Sequence, residues 1–254
     1  MMIGTAFVTG ARRGIGKAIA LTLARDGYDV AVNDMAASPA LDEVVTEIKK
    51  LGRQCIVVLG DISKIETHKT MLDQAEKLGP ITTLVNNAGV SVLHRGDILD
   101  VSVDSYDLCQ DVNTRATFFF CQAYARRVLD RPRPPVHHSI ITISSANAEA
   151  VSIMRSEYCV SKAAVSMVTK LYAARLSDEG IGVYEIRPGF IDTDMVAPSR
   201  AKYDKLIAEG LTVIKRFGQP DEVARVASTM AQGLLPYTVG QAIAVDGGLL
   251  SVRY

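Results

Sequence analysis

The sequence predicts a single α/β domain built on a doubly wound, mostly parallel β-sheet flanked by helices. Short apolar runs alternate with longer amphipathic stretches, an alternation that produces βαβ units with right-handed crossovers. The chain has 254 residues, of which 48% are hydrophobic, so it can bury one large core. We therefore treat residues 1–254 as one domain.

Seven apolar runs bounded by turn residues predict the strands. In chain order they are Ile3–Thr9, Asp29–Asn33, Gln54–Gly60, Ile81–Val85, Ile140–Ile143, Val183–Arg187 and Gly240–Val245. The helical periodicity of the stretches between them predicts the helices. The first predicted helix ends near Arg25, and the others are Pro39–Leu51, Lys64–Leu78, Val112–Leu129, Glu157–Glu179 and Pro220 to Leu234.

Composition and charge exclude several classes of function. Basic and acidic residues number 28 each without a long run of one sign, so neither nucleic acid nor a membrane is indicated as a partner. The four cysteines lack Cys-x-x-Cys spacing, and the adjacent His137 and His138 would point to opposite sides of a strand, so we expect no metal site. A cytoplasmic protein with reduced thiols, no signal peptide and no membrane span is expected.

A glycine-rich turn follows the first predicted strand. Gly10, Gly14 and Gly16 have the spacing Gly-x-x-x-Gly-x-Gly between a strand and a helix, the context of a dinucleotide-binding loop. Glycines permit the tight turn and let backbone N–H groups approach a pyrophosphate at the helix N-terminus. A plain strand-to-helix turn needs fewer glycines, so the spacing favours cofactor binding.

Two residues give opposing indications of the cofactor. Asp34 closes the second strand, where a carboxylate accepts a hydrogen bond from a ribose 2′-hydroxyl and repels a 2′-phosphate, which favours NAD. Arg13 in the glycine loop favours NADP if it pairs with a 2′-phosphate, and is otherwise a solvated loop charge. We give Asp34 more weight than Arg13 in predicting the cofactor, because the ribose in such folds lies at the end of the second strand. Asp61, after the third strand, either accepts from the adenine amino group or caps the next helix.

Tyr158 and Lys162 lie four residues apart in a segment with helical periodicity, so their side chains share one face of a helix. A phenol with a pKa of about 10 is a poor acid or base at neutral pH. An ammonium about 4 Å away contributes roughly 4 kcal/mol at an effective dielectric of 20, equivalent to about three pKa units. The pair predicts a tyrosine whose lowered pKa makes it a proton donor, or else two helix residues that meet by chance.

Residues after the fourth strand are candidate ligand contacts because the carboxyl ends of parallel strands face the ligand crevice. The first of these residues are Asn87, Ala88 and Gly89. Small residues and a side-chain amide suit a close approach of the backbone to a ligand. His94 and Arg95 follow as candidate substrate contacts, with a solvated loop as the alternative. In the next helix Phe118–Phe120 cannot all face one core, which favours an oligomer.

Together these residues resemble the short-chain dehydrogenase/reductase family over nearly the whole chain and in the same order. Thr9–Gly16 resembles the family's cofactor loop, Asn86–Gly89 its central-strand motif, and Pro188–Thr193 the segment that holds the nicotinamide carboxamide. Four residues fall at its catalytic positions: Asn113, Ser145, Tyr158 and Lys162. The resemblance implies a single-domain Rossmann fold with seven strands, and an oxidoreductase that uses NAD or NADP to interconvert a carbonyl and a secondary alcohol.

The resemblance also implies a role for each catalytic position. Tyr158 would exchange a proton with the substrate oxygen, Lys162 would lower the Tyr158 pKa and bind the nicotinamide ribose, and Ser145 would hydrogen-bond the reacting oxygen. Asn113 would hold a water that connects Lys162 to solvent. From the patterns and the resemblance together, the expected cofactor residues are Gly10, Arg13, Gly14, Ile15, Gly16, Asp34, Asp61, Ile62, Asn87, Ala88, Gly89, Tyr158, Lys162, Pro188, Gly189, Ile191 and Thr193.

Within the family the chain is most similar to the 3-oxoacyl-carrier-protein reductase group, through Phe190–Met195, Arg216–Pro220 and Val245–Gly248. That group docks an acidic carrier protein through basic residues near the ends of the two long central helices. Here the first region is the proline-rich loop Arg131–Val136, and the second carries Asp178-Glu179, whose carboxylates would repel an acidic partner. The strand before Pro188 also departs from the group's asparagine-bearing version.

We therefore expect a small-molecule substrate: a sugar, a polyol or a hydroxy acid. The candidate substrate contacts are Ser145, Asn147, His94 and Arg155, with Glu149 nearby in the same loop. The alternative for Asn147, Glu149 and Arg155 is an exposed position without a ligand. Residues 190–217 are expected to form a substrate lid, or an ordinary surface helix.

Other functions stay open at this point. The chain is alternatively a 3-oxoacyl-carrier-protein reductase, an epimerase-like enzyme that recycles bound NAD, or a cofactor-binding protein without catalysis. A homotetramer, or a dimer, is expected through the two long central helices.

Overall fold

One seven-stranded parallel sheet forms the centre of the protein in a computed structural model that describes residues 3–252, apart from the side chain of Pro198. Residues 1–2 and 253–254 of the predicted domain lie outside the described residues. The strands are β1 (Thr5–Thr9), β2 (Asp29–Asp34), β3 (Cys55–Leu59), β4 (Ile81–Asn86), β5 (His138–Ile143), β6 (Ile181–Pro188) and β7 (Ala242–Val245). Their order across the sheet is β3-β2-β1-β4-β5-β6-β7.

Eight α-helices of the described chain surround this sheet. They are α1 (Gly14–Arg25), α2 (Pro39–Lys50), α3 (His68–Ala75), α4 (Val103–Cys109), α5 (Ala116–Leu129), α6 (Ser156–Leu176), α7 (Arg200–Ala208) and α8 (Pro220–Ala231). Helices α1, α2 and α8 contribute to the core on one face of the sheet, and α3, α5 and α6 to the core on the other. Because both faces are covered, the central strands read as continuous apolar runs in the sequence.

The strand order reverses between β1 and β4, which lie side by side at the middle of the sheet. Strands β2 and β3 extend from β1 in one direction, and β5, β6 and β7 extend from β4 in the other. At such a switch point the loops that leave the two neighbouring strands run in opposite directions and open a crevice at their carboxyl ends. The glycine loop after β1 and the Asn87–Gly89 loop after β4 meet there.

The sheet is parallel in every described strand pair, in agreement with the predicted fold class. The structure corrects two predicted helices. The helix predicted over Val112–Leu129 starts at α4, because a π-helical turn, Gln110–Arg115, joins α4 to α5 and shifts the apolar periodicity. The helix predicted over Lys64–Leu78 is α-helical only in α3, with a 3₁₀ turn on each side.

Within residues 3–252, no helix combines the length and the apolar character needed to cross a bilayer.

Candidate active site

A cavity of about 850 Å³ lies at the carboxyl ends of the central strands. All seventeen residues predicted to contact the cofactor line it, from Gly10 in the glycine loop to Thr193 after β6. Three of the four catalytic candidates line it as well: Ser145, Tyr158 and Lys162. Residues that are far apart in the chain therefore converge on one crevice at the switch point.

The glycine loop has the shape that a bound dinucleotide requires. Gly10 has a φ of +63°, and a Cβ atom at this position would lie 2.9 Å from the Cα atom of Ala88. A Cβ atom on Gly16 would lie 2.2 Å from the carbonyl oxygen of Gly10. No larger side chain fits at either position, so the backbone stays open to a ligand at the start of α1. This cradle fits the pyrophosphate of a nicotinamide cofactor.

Thr9 and Asn87 join the two loops at the switch point. The Asn87 side-chain amide donates to the carbonyl oxygens of Thr9 and Gly10 at 2.8 and 3.0 Å. The backbone N–H groups of Asn87 and Ala88 both donate to Thr9 Oγ1 at 3.0 Å. The side-chain amide predicted as a ligand contact thus also fixes the spacing between the glycine loop and the loop after β4.

The adenosine end of the cavity contains an ion pair that the sequence analysis missed. Arg12 Nε lies 3.7 Å from Asp34 Oδ2, and both residues line the cavity. Arg13 instead pairs with Asp194 at 3.2 Å, across the cavity mouth. Asp61 Oδ1 accepts from the backbone N–H of Ser63 at 2.8 Å and lines the cavity.

Three of the four catalytic candidates lie after β5 and on α6. Ser145 follows β5 in extended backbone, and its hydroxyl accepts from the backbone N–H of Asn147 at 3.1 Å. Tyr158 and Lys162 lie one turn apart near the start of α6, and both are buried. Lys162 Nζ donates to the carbonyl oxygen of Ile143 at 3.1 Å and lies 5.7 Å from the centre of the Tyr158 ring.

Asn113 reaches this group from the π-helical turn. Its amide oxygen accepts from Val90 N at 2.8 Å, and its amide nitrogen donates to Val90 O and Ser161 Oγ at 3.1 and 2.9 Å. A Cβ atom on Gly89 would lie 3.0 Å from Asn113 Oδ1 and 3.4 Å from Lys162 Nζ, so both side chains flank Gly89. π-Helical turns recur at functional sites because they re-aim one side chain. Asn113 does not line the cavity itself.

Burial dominates the ionisation of Tyr158 and Lys162. Tyr158 is 8% exposed, and burial raises its pKa above the ordinary value of a phenol, which the Ser145 hydroxyl and the charge of Arg155 partly offset. Burial lowers the pKa of Lys162 to about 8, against the opposing effects of Cys109 and Glu185. The predicted lowering of the Tyr158 pKa is therefore wrong: desolvation outweighs the attraction that the helical spacing suggests.

The predicted substrate residues separate into two groups. Ser145, Asn147 and Arg155 line the cavity, and Arg155 Nη2 donates to Asn147 Oδ1 at 2.8 Å. His94 is exposed and does not line the cavity, whereas its neighbour Arg95 does. Both residues lie in the loop after β4, and their sequence positions do not show which of the two side chains faces the cavity.

Behind the catalytic residues lies a buried polar network whose role the sequence analysis missed. Glu185 on β6 is 0% exposed and accepts from Ser144 Oγ, Ser166 Oγ and Arg187 Nε at 2.5, 2.6 and 2.6 Å. Arg187 also pairs with Glu149, which does not line the cavity. The strand before Pro188 differs from the family's asparagine-bearing version, so the sequence indicated that this strand is unusual. It did not indicate which side chains Glu185 contacts.

The segment 190–217 carries α7 and contributes residues to the lining of the cavity. Asp194 pairs with Arg13 in the glycine loop, and Ser199 Oγ accepts from Arg95 Nη1 at 2.9 Å. The segment is thus fastened to the loops on both sides of the crevice, at positions suited to a lid. Movement of this segment stays a prediction.

Fold and site together define a nicotinamide-dependent oxidoreductase. Residues 10–250 match the profile of the family described as enoyl-(acyl carrier protein) reductase. A short-chain dehydrogenase/reductase from Hericium erinaceus is 33% identical over 253 residues, which cover 98% of each chain. L-Rhamnose 1-dehydrogenase (NAD(P)(+)) from Sphingomonas sp. is 32% identical over 247 residues, which cover 96% of this chain and 95% of that protein.

A solved structure is also similar to this chain along its whole length. The crystal structure of 3-oxoacyl-[acyl-carrier protein] reductase from Brucella melitensis in complex with NAD is 38% identical, with a TM-score of 0.96 and 100% coverage of both chains. The protein therefore belongs to the short-chain dehydrogenase/reductase family. It is an enzyme that interconverts a C=O and a CH–OH group with NAD or NADP. The resemblance stated from the sequence, its reaction class and its Rossmann fold are confirmed.

Proposed function

We propose that the enzyme uses NAD to interconvert the hydroxyl and carbonyl groups of a small polar substrate: a sugar, a polyol or a hydroxy acid. The observation that carries this proposal is the lining of the cavity beside Tyr158. Among the apolar residues of the lining, Asn147, Ser152, Arg155 and Arg95 supply polar and charged groups to the cavity. Such groups match hydroxyls and carboxylates better than they match a long apolar acyl chain. The relative named as L-rhamnose 1-dehydrogenase supports a substrate of this size.

Tyr158 exchanges the proton with the substrate oxygen. Its raised pKa keeps the phenol protonated at neutral pH, so in reduction the hydroxyl is ready to donate to the carbonyl oxygen as negative charge develops there. The Ser145 hydroxyl interacts with the phenol and is placed to hydrogen-bond the same oxygen. In the oxidative direction the phenolate accepts the proton, and Ser145 and Arg155 stabilise it.

Lys162 and Asn113 support this proton exchange. With a pKa of about 8, Lys162 is mainly an ammonium at neutral pH and is poised to pass a proton toward the phenol. Asn113 has both amide N–H groups engaged, with Val90 and Ser161, while its amide oxygen keeps one lone pair for a water on the route from Lys162 to solvent. The water relay is part of the proposal.

The glycine cradle, Asp34 and the loops after β4 and β6 would hold the cofactor. When bound, the nicotinamide supplies or accepts the hydride. The carboxylate of Asp34 would accept from a ribose 2′-hydroxyl and repel a 2′-phosphate, which supports a preference for NAD. Arg13 is engaged by Asp194, so it is less available to a 2′-phosphate, while Arg12 beside Asp34 is the nearer cation for NADP.

A second candidate is 3-oxoacyl-[acyl-carrier-protein] reductase, the activity named for the Brucella melitensis structure. Against it, the basic side chains of the proline-rich loop are already occupied. Arg131 pairs with Glu76 at 2.7 Å, and Arg133 donates to the carbonyl oxygen of Glu179. Asp178 and Glu179 add negative charge near the same surface, which opposes an acidic carrier protein.

A substrate panel tests the proposal. Sugars, polyols, hydroxy acids and an acetoacetyl-carrier protein are assayed by the absorbance of the reduced cofactor, with NAD and NADP side by side. We expect the highest kcat/KM for a small polar substrate with NAD. Preference for the carrier-bound substrate would support the second candidate, and preference for NADP by about tenfold or more would overturn the role given to Asp34. Cofactor binding without turnover of any substrate would favour a non-catalytic protein, and isomerisation without net reduced cofactor an epimerase-like enzyme.

A further inference from the structure

Arg155 lies beside Tyr158, the proposed proton donor, and one N–H group of Arg155 has no hydrogen-bond partner within the described residues. Its Cζ atom is 5.4 Å from the centre of the Tyr158 ring, and Nη2 donates to Asn147. The Nε atom is shielded from solvent and has no hydrogen-bond partner within residues 3–252. A buried N–H of a charged group costs free energy when it lacks an acceptor. A ligand with an acceptor oxygen would satisfy it.

Two arginines of the cavity lining, Arg155 and Arg95, are not neutralised by a carboxylate within the described residues. Arg95 donates to the uncharged hydroxyl of Ser199, and in the described part of the chain neither Arg95 nor Arg155 forms an ion pair with a carboxylate. Both side chains line the cavity. Cations that line a cavity without a carboxylate partner attract a negatively charged ligand group.

The acidic residues of the cavity lie on the side of the glycine loop. Among the described lining residues these are Asp34, Asp61 and Asp194. Asp34 and Asp194 are paired with arginines of the glycine loop itself, and Asp61 accepts from a backbone N–H group. The positive charge beside Tyr158 is therefore not cancelled from within the cavity.

We propose that the substrate carries a carboxylate and that Arg155 binds this group while Tyr158 exchanges a proton with the reacting oxygen. The inference rests on the proposed function, because it narrows the substrate class of the same site to hydroxy acids and their keto acids. A carboxylate offers two coplanar acceptor oxygens, which match the N–H groups of a guanidinium. Neutral sugars, polyols and acyl thioesters lack such a charge next to the reacting carbon.

The chemistry balances without a further reactant. In oxidation, the C–H bond at the carbinol carbon breaks and its hydride reduces the nicotinamide, while the hydroxyl proton passes to the phenolate of Tyr158. The products are a keto acid, reduced cofactor and, once Tyr158 is reset, one proton. The carboxylate itself is unchanged and serves only to orient the carbinol carbon.

Matched substrate pairs that differ in the carboxylate test this proposal. D-Gluconate is compared with sorbitol, 3-hydroxybutyrate with its methyl ester, and lactate with lactamide, each with NAD and with NADP. We expect the acid to have a kcat/KM about tenfold or more above its neutral partner, the effect of a charge-assisted hydrogen bond. Butyrate should inhibit competitively and butyramide should not, and calorimetric titration of each ligand into the cofactor-bound enzyme gives a readout that does not depend on turnover.

Three variants assign the effect to Arg155. Arg155→Met should remove the advantage of the acid mainly through KM and abolish inhibition by butyrate, whereas Arg155→Lys should keep part of both. Arg25→Met is the matched control, because Arg25 is exposed at the end of α1 and outside the cavity lining. An unchanged acid preference in Arg155→Met would overturn the assignment of Arg155.

The outcomes separate this inference from the proposed function. If the neutral partners react as well as the acids, or better, the carboxylate proposal is overturned and the oxidoreductase acting on a small polar substrate stands. If no member of any pair reacts with either cofactor and butyrate does not bind, the carboxylate proposal is overturned. The proposed function is overturned as well only if the wider panel of sugars, polyols and hydroxy acids also fails to react.

Discussion

The ionisation of Lys162 links a single residue to the pH dependence of the whole reaction. Burial lowers its pKa to about 8, well below the ordinary value of a lysine. The groups that act on it are Cys109 and Glu185, and its Nζ faces the ring of Tyr158. Because the pKa is depressed, the ammonium is present below about pH 8 and is lost above it.

We expect the kcat for reduction to fall as pH rises through about 8, when Lys162 loses its proton. Tyr158 does not produce this fall, because its raised pKa keeps it protonated over the same range. A pH–rate profile of the reductive reaction at saturating substrate checks the prediction. A kcat that stays level up to a pH of about 10 would show that the charge of Lys162 is not needed.

Prediction from sequence succeeded for residues joined by local spacing and failed for residues joined only by the fold. The Tyr158–Lys162 pair follows from the pitch of one helix, and the glycine loop from one turn. The ion pair between Arg12 and Asp34 joins a loop to a strand end, and no periodic pattern in the sequence predicts it. The pKa of Tyr158 was predicted in the wrong direction because its burial depends on elements that the local pattern does not include.

At the scale of secondary structure elements, Glu185 sets the spacing between the parts that carry the catalytic residues. It accepts from Ser144, which lies between the end of β5 and Ser145, and from Ser166, one turn beyond Lys162 on α6. Arg187 balances its charge within the same network. A change in this network therefore moves β5 and α6 relative to each other as well as weakening the fold.

Glu185→Gln keeps the shape of the side chain and removes its charge. We expect it to lower the free energy of unfolding by about 3 kcal/mol, the lower end of the range for breaking a buried ion pair, because Glu149 still partly neutralises Arg187. It should also lower the pKa of Lys162 further, so that the alkaline fall of kcat begins at a lower pH. Urea unfolding and the pH–rate profile measure the two effects.

The double variant Glu185→Gln/Arg187→Met serves as the control. Removing both charges is expected to restore most of the lost stability, while the shift of the pH profile persists because Glu185 is still absent. A single variant that unfolds like the wild type, with an unchanged pH profile, would contradict the role given to this network.

Most elements were predictable because they carry a strong period or a continuous apolar run. The exception is the π-helical turn between α4 and α5, which holds Asn113. One extra residue in a turn breaks the helical periodicity, so the pattern placed the start of the helix at Val112 instead of Val103. The position of Asn113 came from the resemblance to a family and not from the periodicity.

At the scale of the whole molecule, an exposed apolar stripe on α6 supports the proposed oligomer. Val160, Met167 and Leu171 are 47, 54 and 55% exposed, at spacings of seven and four residues that place them on one face. On α5, Phe118 and Phe119 are only partly buried. A contiguous apolar surface of this kind on two long helices is typical of a subunit interface.

We expect sedimentation to show a tetramer or a dimer, and Met167→Glu to shift the protein toward smaller species by burying a charge in the interface. Leu51→Glu is the control, since Leu51 is an exposed apolar residue at the end of α2, away from the stripe. A wild-type protein that sediments as a monomer would refute the proposed assembly. Equal sedimentation of Met167→Glu and Leu51→Glu would also refute it.

The fold as a whole was the most predictable feature, because the alternation of strands and helices admits few topologies. The substrate was the least predictable. Its binding groups come from the loop after β5, the loop after β4 and the segment 190–217, and their charges are decided by partners such as Ser199 and Asn147 that only the fold brings close. The unpaired state of Arg155 could not be read from the sequence for the same reason.

Tyr158→Phe tests the central claim most directly, because it removes only the hydroxyl that exchanges the proton. Turnover of the best substrate of the panel is measured beside cofactor binding, followed by the change in cofactor fluorescence. We expect kcat to fall by at least about 100-fold, the contribution of a general acid, while the Kd for the cofactor is unchanged. Near-normal turnover by Tyr158→Phe with the cofactor bound would contradict it.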